Sequence, residues 1–153
     1  MRKLRKIVAL IIVVIVAFGT LQLVITQKEP VSISAFKTIT SEAGFKVETL
    51  ELNPYIENFQ AAATATKNNT EVMYFICKDE GTARKEAEKA DNVIKKELSA
   101  NHSSSVNFSH SIHFTEENKN EYAAIESVNN VVIIAVSAKA DKDTLKDLVK
   151  KLY

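Results

Sequence analysis

The spacing of hydrophobic and polar positions changes several times along the chain, and each change predicts an element. From Ile7 to Ile25 nineteen residues carry no charge, and fourteen of them are Ile, Val, Leu or Phe. A helix of that length rises roughly 28 Å, close to the hydrocarbon thickness of a bilayer, so the pattern predicts a transmembrane signal-anchor helix over 7–27. Its lipid-facing anchors include Ile7, Ile11, Ile15, Phe18 and Ile25. Arg2, Lys3, Arg5 and Lys6 form a basic flank over 1–6, against only Lys28 and Glu29 on the far side. The positive-inside bias then holds the N-terminus in the cytoplasm and places the remainder outside, as a single-pass protein of the cytoplasmic membrane. The alternative is cleavage after the small-x-small triplet Ala17-Phe18-Gly19, although Leu21, Leu23, Val24 and Ile25 prolong the apolar run beyond it.

Beyond a tether at 28–33, residues 34–153 read as one extracytoplasmic α+β domain. Ser34 fits a helix N-cap, Phe36, Ile39 and Ala43 make an apolar stripe, and Gly44-Phe45 fits a left-handed helix end. Phe45–Leu50 alternates as a short strand, which Asn53-Pro54-Tyr55 breaks. Phe59–Thr66 and Val72–Cys77 flank Lys67-Asn68-Asn69-Thr70, and a β-hairpin explains both sides. Lys78 to Thr82 opens the longest helix, with Ala83, Ala87, Ala90, Ile94 and Leu98 as its buried stripe. Asn101–Ser105 reads as a polar loop and Val106–Phe114 as a half-buried strand. Glu121–Val128 and Val131–Ser137 form a second hairpin about Asn129-Asn130, and Asp141 caps a last helix whose Leu145, Leu148, Val149 and Leu152 face inward.

A shift of 61 residues lays Ala62-Ala63 on Ala123-Ala124, Asn68-Asn69 on Asn129-Asn130, and Lys78, Lys85 and Lys89 on Lys139, Lys146 and Lys150. It also lays 45–50 over 106–111 and 72–77 over 133–138. The shift suggests a duplicated α-β-β-β unit, with chance likeness of two hairpins as the alternative. If the repeat is real, the two strands apolar on both faces are equivalent and central. The expected fold class is therefore α+β: an N-terminal transmembrane helix, then a mainly antiparallel sheet of about six strands with three packing helices.

Composition removes some partners. Five of the 20 Lys+Arg but only one of the 19 Asp+Glu fall in the first thirty residues, so the domain is mildly acidic and has no basic stripe for nucleic acid. Cys77 is the only cysteine. It excludes an intramolecular disulfide, reads as a buried inert thiol, and is not placed to carry a lipid.

Catalytic motifs are missing. There is no G-x-S-x-G, H-E-x-x-H or C-x-x-C, and three glycines leave no phosphate-cradling loop. His102, His110 and His113 suggest a metal site, yet on one strand residues three apart point to opposite faces, so the reading is no metal, a partly buried His110 and a surface His113. Carboxylates on the long helix alternate with lysines, the pattern of a solvated face. The alanine-rich strand is the odd feature: it either lets a helix approach closely or leaves a shallow groove lined by Tyr55, Phe59, Ala61, Ala63, Tyr74 and Tyr122.

The helix ending in Gly44-Phe45, the Ala/Thr strand before Lys67-Asn68-Asn69, the strand ending Tyr74-Phe75, the Lys/Glu/Ala helix, Ser103-Ser104-Ser105-Val106-Asn107 and Val128-Asn129-Asn130-Val131 follow a hydrophobic N-terminal segment. That order resembles an uncharacterised family of small membrane- or lipid-anchored extracytoplasmic proteins of Gram-positive bacteria. Its motifs are turns and strand edges, so the resemblance implies fold and location and no catalytic residue; this chain departs from the lipoproteins by lacking the lipid-bearing cysteine. The expected function is a non-enzymatic binding or protein-interaction module of the cell envelope, without cofactor, partnered by the membrane and by another envelope protein or a small ligand. The alternative is a small-ligand or metal-ion capture protein. A hydrolase without a recognisable motif would need convergent polar residues in one place.

Overall fold

The computed structural model describes residues 29–52 and 57–153. The first helix, α1 (Ile33–Glu42), is capped by Ser32, whose Oγ accepts the Ala35 N–H at 3.2 Å, two residues ahead of the expected cap at Ser34. At its other end Gly44 takes φ +82° while its N–H donates to Ser41 O at 2.9 Å and Phe45 N–H donates to Thr40 O at 3.0 Å. The chain then runs through β1 (Lys46–Thr49), β2 (Phe59–Lys67), β3 (Thr70–Cys77), α2 (Glu80–Glu97), β4 (His102–Asn107), β5 (Ser111–Glu117), β6 (Glu121–Val128) and β7 (Val131–Ala138). A 3₁₀ turn at Lys139–Asp141 leads into α3 (Lys142–Val149).

All seven strands join one sheet in the order β1-β2-β3-β7-β6-β5-β4, antiparallel throughout. Alternation divides the sheet into two buried faces. On one face α1 and α3 bring Phe36, Leu145, Leu148 and Leu152 onto Ala63, Ala65, Tyr74 and Ile133. On the other, α2 lays Ala83 and Ala87 over Cys77, Ile112, Ala123, Ile125 and Val132. The alanines of β2 decide how close α1 comes. With Ala63 and Ala65 beneath it, Phe36 stacks on Tyr74 at 4.9 Å between ring centres. Val31, assigned to the tether by sequence, is tied in: its N–H donates to Leu152 O at 3.0 Å and its carbonyl accepts the Tyr74 hydroxyl.

The two halves of the sheet share one register. Ala62 pairs with Phe75, and Ala123 with Val136, each 61 residues on. Both hairpins turn on an asparagine at φ 51°, Asn68 and Asn129. At the centre β3 and β7 pair through Met73 and Ile134, themselves 61 apart, so a pseudo-two-fold axis runs through that pair. The outer strands obey the axis at a different spacing: β1 lies on β2 as β5 lies on β6, with Lys46 matching Ile112 instead of Asn107.

Two expectations about the fold are corrected. The sheet has seven strands, because Val106–Phe114 is not one strand. Phe108 N–H donates to Ser111 O at 2.8 Å, which turns the chain at Phe108–His110 and separates β4 from β5. The expected loop at 101–105 is accordingly the start of an edge strand, exposed along its whole length.

The other correction concerns the membrane. Among the described residues no helix is long and apolar enough to cross a bilayer. The longest, α2, has 18 residues and carries Arg84, Lys85, Lys89, Lys95 and Lys96 among its acids, which makes it a surface helix with one buried stripe. Among the described residues the fold is therefore an antiparallel sheet with three α-helices. The transmembrane helix, the signal-anchor and the single-pass, C-terminus-outside location are withdrawn with it. Ile7, Ile11, Ile15, Phe18 and Ile25, the flank Arg2, Lys3, Arg5 and Lys6, and the break at 53–55 lie outside the described residues.

Candidate functional site

The residues expected to line one groove separate. Ala63, Tyr74 and Tyr122 are buried on the face under α1 and α3, Ala61 is partly buried, and Phe59 packs on the opposite face against Phe75 at 5.2 Å. Tyr55 lies outside the described residues. Burial pushes the Tyr122 hydroxyl up to about 12, and Lys142 and Lys146 stand over its ring at 4.9 and 5.6 Å. Cys77 is a buried free thiol, pushed up to about 12 by burial and then by Glu86 and Asp79.

The histidines do not meet, for a reason the strand-parity argument missed. His110 sits in the β4–β5 turn, where its Nδ1 faces Glu80 Oε2 at 3.1 Å, and His102 is exposed at the start of the edge strand. His113 is the half-buried one. It lies directly across from Glu126 in the register of β5 and β6, and its Nδ1 contacts the Glu126 carboxylate. Its Nε2 lies 3.1 Å from Ser111 Oγ, two residues back on the same face. The Phe108 ring meets the imidazole edge-on at 5.7 Å, and Tyr153 flanks it at 6.0 Å. Burial pushes the imidazole below its ordinary value. With a proton on Nδ1, toward the carboxylate, Nε2 is the acceptor that the Ser111 hydroxyl faces.

Under α2 a second polar group is buried. Glu116 is 1% exposed and accepts from Ser103 Oγ at 2.5 Å, while Asp91 reaches it from the helix above. Burial first, and the neighbouring Glu116 second, push Asp91 up to about 6. A carboxyl whose folded value is raised binds more protons folded than unfolded between the two values. Stability is therefore fully present below the unfolded value, about 4, and falls as pH rises through about 6. Asp91→Asn, which keeps the shape and removes the charge, is expected to stabilise the protein at neutral pH by about 1–2 kcal/mol once solvent screening is allowed for. The gain should vanish near pH 4, within the acid side of that window; urea titrations at the two pH values check it.

A cleft of about 360 Å³ opens between the end of α1, the β2–β3 turn and α3. Phe45, Leu145 and Leu148 give it an apolar floor, and Thr70 and Thr144 line it. Lys67 and Lys151 face it with Asp141 and Asp147, so both charges ring an apolar base. Lys67 is held there, its Nζ donating to Ala43 O at 2.7 Å and standing 5.6 Å over the Phe45 ring.

On the opposite face of the sheet, Arg84 ties α2 to the turn before β5. The Arg84 guanidinium donates to Asn107 Oδ1 at 3.0 Å, to Ser109 O at 3.1 Å and to the Phe108 carbonyl.

No protein-family model matches the chain. No curated protein matches it. Among solved structures it is similar to a GTP binding regulator from Thermotoga maritima, at 16% sequence identity and a TM-score of 0.46, over 82% of this chain and 89% of that one. At that level the likeness carries no argument about this chain.

Proposed function

We propose that the protein is a binding module that seats a small molecule in the cleft between α1 and α3. The observation that carries this reading is the cleft itself, about 360 Å³ with Phe45, Leu145 and Leu148 as an apolar floor and two lysines and two aspartates around it. That volume falls within the range of small-molecule sites, which combine an apolar lining with a few polar groups. An apolar floor with Lys67 and Lys151 opposite Asp141 and Asp147 suits a zwitterion with an apolar side group, the chemistry of an amino acid or short peptide.

Thermal unfolding in the presence of amino acids and dipeptides tests the reading. A ligand at a hundred times its dissociation constant stabilises the folded state by about 2.7 kcal/mol, a rise of several degrees. Thr144→Trp, at an exposed position on the cleft wall, should fill the space and abolish the rise. Its own stability should stay within about 0.5 kcal/mol of the unaltered protein. A flat response across both ligand classes, or a rise that survives Thr144→Trp, would count against the cleft as the seat.

A further inference from the structure

A second place on the same sheet face shares no residue with the cleft. Ser111, His113 and Glu126 stand in a line, carboxylate to Nδ1 and Nε2 to hydroxyl, with Ser111 Oγ 3.1 Å from Nε2. The geometry points to Ser111 as a nucleophile, with His113 as its base and Glu126 as the group that orients the base, at a site that takes a short acyl group from an ester.

Each part has a structural cause. The cross-strand register sets Glu126 against His113, and the two-residue period of β5 puts Ser111 beside it. Tyr153 and Phe108 hold the ring from two sides, so the imidazole does not turn away from the hydroxyl. Glu126 is 7% exposed and His113 is partly buried, which strengthens the electrostatic contact between them, whereas Ser111 reaches the surface. Beside it Val106 is 49% exposed and Phe108 39%, an apolar shelf on which an acyl chain would lie. Arg84, bound to the carbonyls of the preceding turn, fixes the backbone from which Ser111 projects.

The step balances within these groups. Ser111 Oγ attacks the ester carbonyl carbon as its proton moves to His113 Nε2; the carbon–oxygen bond to the alcohol breaks, and Nε2 returns the proton to the departing alkoxide. The acyl group remains on Oγ and the alcohol leaves. Glu126, facing Nδ1, orients the ring through both transfers, as in other Ser-His-carboxylate sites.

The test uses the full chain and p-nitrophenyl acetate. Expected is a burst of p-nitrophenolate equal to the protein present, with one acetyl group located on Ser111 by peptide mass mapping of the unaltered protein. Ser111→Ala should remove the burst and Ser109→Ala should leave it. His113→Gln, which still offers Glu126 an amide donor, should slow acylation by about a hundredfold or more, and circular dichroism establishes that it remains folded. Labelling of lysines or Tyr153 without Ser111, or an equal burst from Ser111→Ala, overturns the assignment. Mapping on the unaltered protein decides the question even if a variant fails to fold.

Discussion

Phe36→Ala should destabilise the protein by about 3–5 kcal/mol, lowering the thermal midpoint by roughly 10–20 °C. Phe36 is fully buried and stacks on Tyr74 at 4.9 Å, with Ala63 and Ala65 beneath. Those alanines are what make the loss large. A cavity opened above long side chains shrinks as they swing in, but alanine has no side chain to move, so most of the cavity would remain. The loss should also reach both ends of the chain. Tyr74, freed of its stacking partner, donates its hydroxyl to the Val31 carbonyl, and Val31 N–H donates to Leu152 O. Backbone amide exchange should therefore speed up in α1 and after α3, and much less in α2, which covers the opposite face. Urea unfolding followed by circular dichroism measures the total. A loss below about 1 kcal/mol would mean that α1 is not seated on the sheet as described.

What the sequence made legible was set by where apolar side chains alternate. The two hairpins around Asn68 and Asn129 were readable because a tight turn there needs a residue that tolerates positive φ, and asparagine does so. The inward stripes of α2 and α3 were readable from their helical spacing. The split between β4 and β5 was not, because Val106, Phe108, His110, Ile112 and Phe114 keep the two-residue period straight through a turn that Arg84, more than twenty residues away, holds in place. The same error misplaced the histidines. Strand parity sent His110 inward and His113 outward, whereas the turn leaves His110 exposed and a new strand carries His113 onto Glu126. The cleft had no local signal at all. It forms where the end of α1, the β2–β3 turn and α3 meet, three segments far apart in the sequence. The seven-strand sheet and the absence of a membrane-crossing helix among the described residues are likewise properties of the folded chain.

His113→Leu should cost about 3–5 kcal/mol at neutral pH, although it replaces a polar residue with an apolar one of similar bulk. The cause is the partner left behind. Glu126 is 7% exposed, paired with Ile133 of β7 on one side and with His113 on the other, and His113 is the group its carboxylate meets. With leucine opposite, a buried carboxylate would have to stay charged without that hydrogen bond or take up a proton. The loss should therefore shrink as the medium is made acidic, from about pH 8 toward about pH 5, because the stranded carboxyl escapes its penalty by protonating. Glu126→Leu should cost less than His113→Leu. The histidine it strands is already held neutral by burial and keeps the Ser111 hydroxyl. Changing both residues to leucine should return stability to within about 1 kcal/mol of the unaltered protein, since two apolar groups facing each other across β5 and β6 leave nothing unpaired. Three urea titrations at two pH values measure this cycle. If the double variant is as unstable as His113→Leu, the loss comes from packing of the ring between Phe108 and Tyr153, and the pair has no electrostatic role in the fold.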